Sequence, residues 1–216
     1  MNSLIEKNIM VPMRDGVRLA TDVYRPAEGG PVPVLLSRLP YNKELPMMAQ
    51  GAIDTSRDQR GVEAREDVLC YTTPTLEKQV EVTGPIELVL YVSSSARDTD
   101  FTGKLVDVNP DGRAEILTDG ILRARYRESF SEPKLMEPGQ IYELHLDLWA
   151  TSNVFKAGHR IRLEVSSSNF PRFDRNTNTG GSIEKETERD FVQAVNRVYH
   201  DSAHPSYLIL PIIERD

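Results

Sequence analysis

A single cysteine, Cys70, stands among the 216 residues, which excludes an intramolecular disulfide framework and points to a reducing, cytoplasmic setting. Basic residues are the minority, 26 Lys and Arg against 33 Asp and Glu, for a net charge of −7. Neutralising phosphates needs clustered Lys and Arg, so no nucleic-acid partner is expected. No apolar run approaches the roughly 18 residues of a membrane span, and Met1–Lys7 lacks the apolar stretch of a signal peptide, so no membrane association is expected either. Nowhere are two glycines four residues apart, which removes the G-x-S-x-G nucleophile elbow of α/β-hydrolases. The glycine spacings of the P-loop and of the dinucleotide fingerprint are missing too, and no cofactor is expected.

What is present is the composition of an ordinary globular protein, 39% hydrophobic and 27% charged, in a chain long enough to bury a core without staples. Turn signals are frequent, and the apolar residues between them mostly alternate. Met10–Met13 and Val17–Tyr24 flank Arg14-Asp15-Gly16 as a β-hairpin, and Val32–Leu39 follows as a third strand. The pattern lapses between Glu44 and Glu66. It resumes with Val80 and Val82, then Ile86, Leu88, Leu90 and Val92 beyond a Gly84-Pro85 break. Lys104–Val108 and Arg113–Leu117 flank the turn Asn109-Pro110-Asp111-Gly112. Tyr142 to Leu148, Ile161 to Val165 and Tyr207 to Ile213 complete the set. Short alternating strands between turns indicate an all-β sandwich or jelly roll. Only Ile183–Val198 carries apolar residues at helical spacing, and a helix is expected there.

Local motifs yield no catalytic constellation. Ser131-Glu132-Pro133-Lys134 has the S-x-x-K spacing, but Pro133 opposes the helix that would align Ser131 with Lys134. Asp107-x-Asn109-x-Asp111-Gly112 opens like a calcium loop, yet Thr118 stands where a bidentate glutamate is needed, and a plain hairpin turn is the better reading. His200 and His204 have the spacing of a zinc pair on a helix, but Pro205 follows and no third ligand is evident, so no metal is expected. Cys70, in Val68-Leu69-Cys70-Tyr71, reads as a small buried hydrophobe.

Two blocks of sequence resemble one family. The first is Met13-Arg14-Asp15-Gly16-Val17-Arg18-Leu19-Ala20-Thr21-Asp22-Val23-Tyr24-Arg25-Pro26 with Arg38-Leu39-Pro40-Tyr41-Asn42-Lys43. It is similar to the opening of the CocE/NonD hydrolases, the cocaine-esterase and glutaryl-7-ACA-acylase-like enzymes related to S15-type X-Pro dipeptidyl-peptidases. The second begins near Asp58-Gln59-Arg60. It runs through Asp98-Thr99-Asp100-Phe101, Asp147-Leu148-Trp149, Gly158-His159-Arg160 and Ser166-Ser167-Ser168-Asn169-Phe170-Pro171-Arg172-Phe173-Asp174. This block resembles the family's C-terminal, non-catalytic jelly-roll domain.

The resemblance implies an all-β, galactose-binding-like jelly-roll β-sandwich over 58–216, joined through a junction at 46–57 to a three-strand remnant of an α/β-hydrolase sheet at 1–45. The hydrolase core and cap that lie between the two blocks in relatives, with the serine, acid and histidine of the triad, have no counterpart positions here. Tyr41, in Arg38-Leu39-Pro40-Tyr41, resembles the family's oxyanion-hole tyrosine, and without a nucleophile it is expected to be vestigial. Three functions follow. The first is a remnant without independent hydrolytic power. The second is a binding module using Asn169–Ser182, with Phe170, Arg172 and Phe173; its small-molecule ligand is unknown. The third is a surviving enzyme that would use His145, His159, His200 or His204 beside a nucleophile. The strand at Val34-Leu35-Leu36 would have lost its neighbours, and among packing on the jelly roll, pairing with another copy and partial disorder, pairing into a homo-oligomer is favoured.

Overall fold

The computed structural model describes residues 3–12, 16, 18–26 and 58–214. The third strand expected at Val32–Leu39, Tyr41 and the junction at 46–57 lie outside the described residues. Contacts divide the chain into two units, 1–49 and 50–216.

In the first unit, β1 (Ser3–Pro12) and β2 (Arg18–Pro26) pair antiparallel, with Ser3 opposite Pro26 and Pro12 opposite Arg18. The hairpin is as the sequence indicates, and β1 begins seven residues before the expected Met10. Gly16, in the connection, has φ +84°, a left-handed conformation open to glycine at little cost.

The second unit is a sandwich of two antiparallel sheets. A single helical turn, α1 (Arg60–Glu63), leads into β3 (Leu69–Thr72) and the long β4 (Val80–Ser94). Then come β5 (Asp100–Val108), β6 (Ala114–Arg123), β7 (Tyr142–Phe155) and β8 (Arg160–Ser166). Three short strands finish the fold, β9 (Asn196–Tyr199), β10 (Tyr207–Ile209) and β11 (Ile212–Ile213). One sheet has the order β3-β8-β5-β6. In the other, β4 pairs with β7 along one edge and with β9, β10 and β11 in succession along the other. The all-β architecture expected from the alternating pattern is what the chain adopts.

Alternation explains the core. Leu88, Leu90 and Val92 of β4 and Leu144, Leu146 and Leu148 of β7 point inward, each 1% exposed or less, and meet Phe101 and Leu105 of β5 and Val165 of β8. Strand β5 is buried on both faces, because Thr102, Lys104 and Val106 of its outer face are covered as well.

Local departures from the expectations have physical causes. Gly84-Pro85 does not break β4; the ladder continues opposite Thr151 and Ala150 and takes up the irregularity as a register shift between Pro85 and Glu87. The last strand instead divides at Leu210-Pro211, between β10 and β11. The helix expected at Ile183–Val198 does not form. Short 3₁₀ turns at Ile183–Lys185 and Glu188–Asp190 occupy its first half, and Thr187 and Asp190 cap the second turn reciprocally. Beyond it the backbone is taken by tertiary bonds. Val192 N–H donates to the Thr177 carbonyl, and Val195 N–H donates to Ser95 Oγ. Val198 then pairs with Val92 in the sheet. Tertiary pairing outweighs a weak helical periodicity. Among the described residues, no helix is long and apolar enough to cross a membrane.

Candidate binding surface

The start of β5, the second half of β6 with the residues just beyond it, and the long loop after β8 converge on one polar cluster. Asp98 and Asp100 enter β5 almost fully buried, at 0% and 1% exposure. Buried carboxylates need donors, and each has an arginine. Arg123 Nε lies 2.9 Å from Asp100 Oδ1 and Arg125 Nε 2.8 Å from Asp98 Oδ2. Asn176, from the loop, donates through Nδ2 to both, at 2.9 Å to Asp98 Oδ2 and 2.7 Å to Asp100 Oδ1. Asn169 Nδ2 donates to Asp119 Oδ2 at 2.7 Å, while Arg172 approaches the other oxygen of Asp119 at 3.2 Å. Asn196 Nδ2 bonds Thr99 Oγ1 at 2.9 Å and Ser167 Oγ at 2.7 Å. The loop is thus fastened to the sheet by amides reading carboxylates.

This fastening presents aromatic rings outward. Phe170 is 61% exposed, and the Arg175 guanidinium lies between its ring and that of Phe191, 5.3 Å and 4.9 Å from the two centroids. Beside them a cavity of about 240 Å³ is lined by Asp100, Ile121, Arg123, Tyr126, Phe173 and Asp174. Phe130, 86% exposed, stacks on Tyr126. The surface offers ring faces and polar edges.

Tyr41 lies outside the described residues, and the other expected site residues can be placed. Of the proposed loop, Phe170 is exposed, Arg172 reaches Asp119 and Phe173 lines the cavity, whereas Asn176 and Thr177 are buried in the polar cluster. His145 lies between Glu87, 2.6 Å from Nδ1, and Glu143, 3.1 Å from Nε2. His159 Nδ1 is 2.8 Å from Asp107 Oδ1. His204 pairs with Asp201, and the His200 ring packs edge-on against Tyr71. Among the described residues, no histidine ring hydrogen-bonds a hydroxyl or thiol. His200 and His204 do not share a helix, since His200 bridges to Pro205 in a turn, and no metal-holding group of His, Cys, Asp and Glu occurs among the described residues. Asp107, Asn109 and Asp111 serve separate partners around an ordinary hairpin turn, with Gly112 at φ +87°. Lys134 pairs with Glu128, and Ser131 bonds Ser129.

Cys70 is exposed rather than a buried hydrophobe. Strand β3 lies on the edge of its sheet, all four of its residues are exposed, and an apolar neighbour in sequence does not supply a cover. Partial burial still pushes the Cys70 thiol above its ordinary value, helped by the charges of Glu63 and Glu164. No local chemical motif marks the buried acids Asp98 and Asp100, although Asp98-Thr99-Asp100 entering an otherwise apolar strand, with Arg123 at the end of its partner and Arg125 just beyond, is a readable sign of paired buried charge.

A family model described as the X-Pro dipeptidyl-peptidase C-terminal non-catalytic domain matches residues 12–209. Cocaine esterase from Rhodococcus sp. (strain MB1 Bresler) is 58% identical over 158 residues, 73% of this chain and 28% of the esterase. An aminopeptidase from the marine sediment archaeon Thaumarchaeota archaeon superposes with a TM-score of 0.72 at 33% identity, covering 74% of this chain and 28% of that one. An α-amino acid ester hydrolase gives 0.71 at 35% identity, with the same coverage of 74% and 28%. The chain therefore spans little more than a quarter of the length of these relatives. It belongs to the family of the X-Pro dipeptidyl-peptidase C-terminal non-catalytic domain, the β-sandwich module of CocE/NonD-type hydrolases.

Proposed function

We propose that this chain is a truncated CocE/NonD-type protein that keeps the jelly-roll module and has no independent hydrolytic activity. The observation that carries this reading is the set of histidine partners. His145 has a carboxylate at each ring nitrogen, and among the described residues none of His159, His200 and His204 hydrogen-bonds a serine, so no base–nucleophile pair is assembled. The lack of any G-x-S-x-G spacing supports it, as does a family match to a domain described as non-catalytic. Tyr41 is then a vestigial oxyanion-hole donor without an oxyanion to stabilise. A fluorophosphonate probe, which labels activated serines, tests the reading. No labelling above that of heat-denatured chain is expected, and stoichiometric labelling of one serine overturns it.

A second reading is favoured by the exposed Phe170, Phe130 and the Arg175 stack. In it the module acts by docking, with the loop of Asn169–Ser182 as the contact surface. The N-terminal strands pair with those of another copy in this account, and the exposed Cys70 remains a thiol in a cytoplasmic setting. Light scattering that gives a monomer at all concentrations contradicts the pairing.

A further inference from the structure

A second group of buried charges lies on the outer face of the four-stranded sheet. Cys70, Glu164, Lys104 and Asp119 stand in register across β3, β8, β5 and β6, so their side chains leave the sheet on one face. Over them come Gln59 and Glu63, from the start and end of the α1 turn. Lys104 Nζ donates to Gln59 Oε1 at 2.9 Å. Arg162 Nη1 lies 2.6 Å from Glu63 Oε2. Glu164, 2% exposed, receives no hydrogen bond at either carboxyl oxygen, and the Lys104 ammonium stands 3.8 Å away. Glu63 Oε1 is likewise buried without a donor. An ionised carboxylate left in that condition is strongly disfavoured. Arg162, two residues before Glu164 on β8 and on the same face, holds Glu63, which sets the donorless oxygens of the two acids over one patch of the sheet; one proton shared by them supplies the missing donor.

We propose that Glu63 and Glu164 share one proton, and that the pair is a pH-sensitive latch fastening the α1 segment, residues 58–68, onto the four-stranded sheet. Burial is the main cause that pushes the Glu164 carboxyl up to about 7, opposed by the Lys104 charge and reinforced by Glu63, with Arg162 opposing. The groups facing the pair are Lys104 from β5, Arg162 from β8, Cys70 from β3, Asp119 from β6 and Gln59 beside α1. The sign follows from linkage. The latched state keeps a proton that an open glutamate releases near 4.5, so the latch is at full strength below that value. It weakens as pH rises to about 7, beyond which both states are ionised and no further loss occurs. Two backbone ties of the segment, Gln59 N–H to the Ala114 carbonyl at 2.8 Å and Ala114 N–H to Asp58 Oδ1 at 3.3 Å, carry no such dependence at neutral pH.

The test is carboxyl-carbon NMR of the full chain labelled in glutamate, with amide exchange through 58–68, between about pH 5 and 9. One glutamate titrating near neutrality is expected. Exchange in the segment, corrected for its intrinsic rate, should rise with pH by up to about tenfold per unit and level off above neutrality. Glu164→Gln, which puts an amide donor where the proton stood, should abolish the neutral titration and flatten the exchange profile. Should that variant not fold, Glu63→Gln serves instead, since its amide donates to Glu164 and should bring that carboxyl down toward the ordinary range. Glutamates that all titrate in the ordinary range, or exchange in 58–68 that is independent of pH in the unaltered chain, would overturn the proposal.

Discussion

Gly103 and Gly120 stand directly opposite one another across β5 and β6, and both leave room for the same side chain, Leu148 of β7. A Cβ on Gly103 would lie 2.5 Å from Leu88 Cδ2 and 3.1 Å from Leu148 Cδ2. One on Gly120 would lie 2.1 Å from the Asp147 carbonyl oxygen and 2.8 Å from Leu148 Cδ2. The missing side chains let the two sheets close over this point, and Thr118 Oγ1 ties the same crossing by donating to the Leu148 carbonyl at 2.5 Å.

Gly120→Ala should therefore destabilise the sandwich more than Gly103→Ala. The first obstacle is backbone, whereas the second is the end of a leucine side chain that can shift. Overpacking of this kind costs about 1–3 kcal/mol, and urea unfolding should place Gly120→Ala at or beyond the upper end. Equal, negligible costs for both would contradict the packing.

Trp149 has φ +64° and is 67% exposed, an uncommon conformation for a bulky residue held by its own N–H to Asp147 Oδ1 at 2.7 Å. The left-handed conformation costs an L residue about 1–2 kcal/mol, and alanine keeps that strain while glycine does not. Trp149→Gly should consequently be more stable than Trp149→Ala by roughly 1 kcal/mol in thermal unfolding.

Asn176→Ala removes one amide from both Asp98 and Asp100. Their arginines remain, so the expected loss is about 1–3 kcal/mol, the range for a buried acceptor short of a donor. Limited proteolysis should then cut within 169–182, where the unaltered loop resists.

Hydrogen bonding to Glu87, ahead of Glu143, raises the His145 imidazole above its ordinary 6.5. A raised histidine adds stability that is fully present below its unfolded value and is lost as pH rises through the folded one. Because His145 is more than half exposed, solvent screens the effect and it is small. A proton-NMR titration midpoint above 6.5 in the unaltered chain, returning to it in a Glu87→Gln, Glu143→Gln variant, is the expected result.

Much of the sandwich is legible in the sequence because one face of each long strand meets the core and the other largely does not. Leu144, Leu146 and Leu148 alternate with exposed Glu143, His145 and Asp147, and that period is readable at sight. What is not legible depends on partners far along the chain. Edge position decides that Cys70 is exposed, and pairing with Val92 decides that Val198 is strand. The buried face of Asp98, Asp100 and Lys104 reads as an ordinary polar face until the residues that cover it, Asn176 and Gln59 among them, are placed. Of the candidate surface, Phe170, Arg172 and Phe173 are recoverable from the loop composition. The carboxylate–amide fastening that presents them is not, because each bond spans 50 residues or more.

The jelly-roll module, without a nucleophile segment, is proposed not to hydrolyse esters by itself. Turnover of a p-nitrophenyl ester by the purified full chain, with Tyr41→Phe alongside, measures it directly. The account predicts no rate above buffer for either protein. Turnover that follows the chain through purification and falls in the Tyr41→Phe variant would show a working oxyanion hole and contradict it.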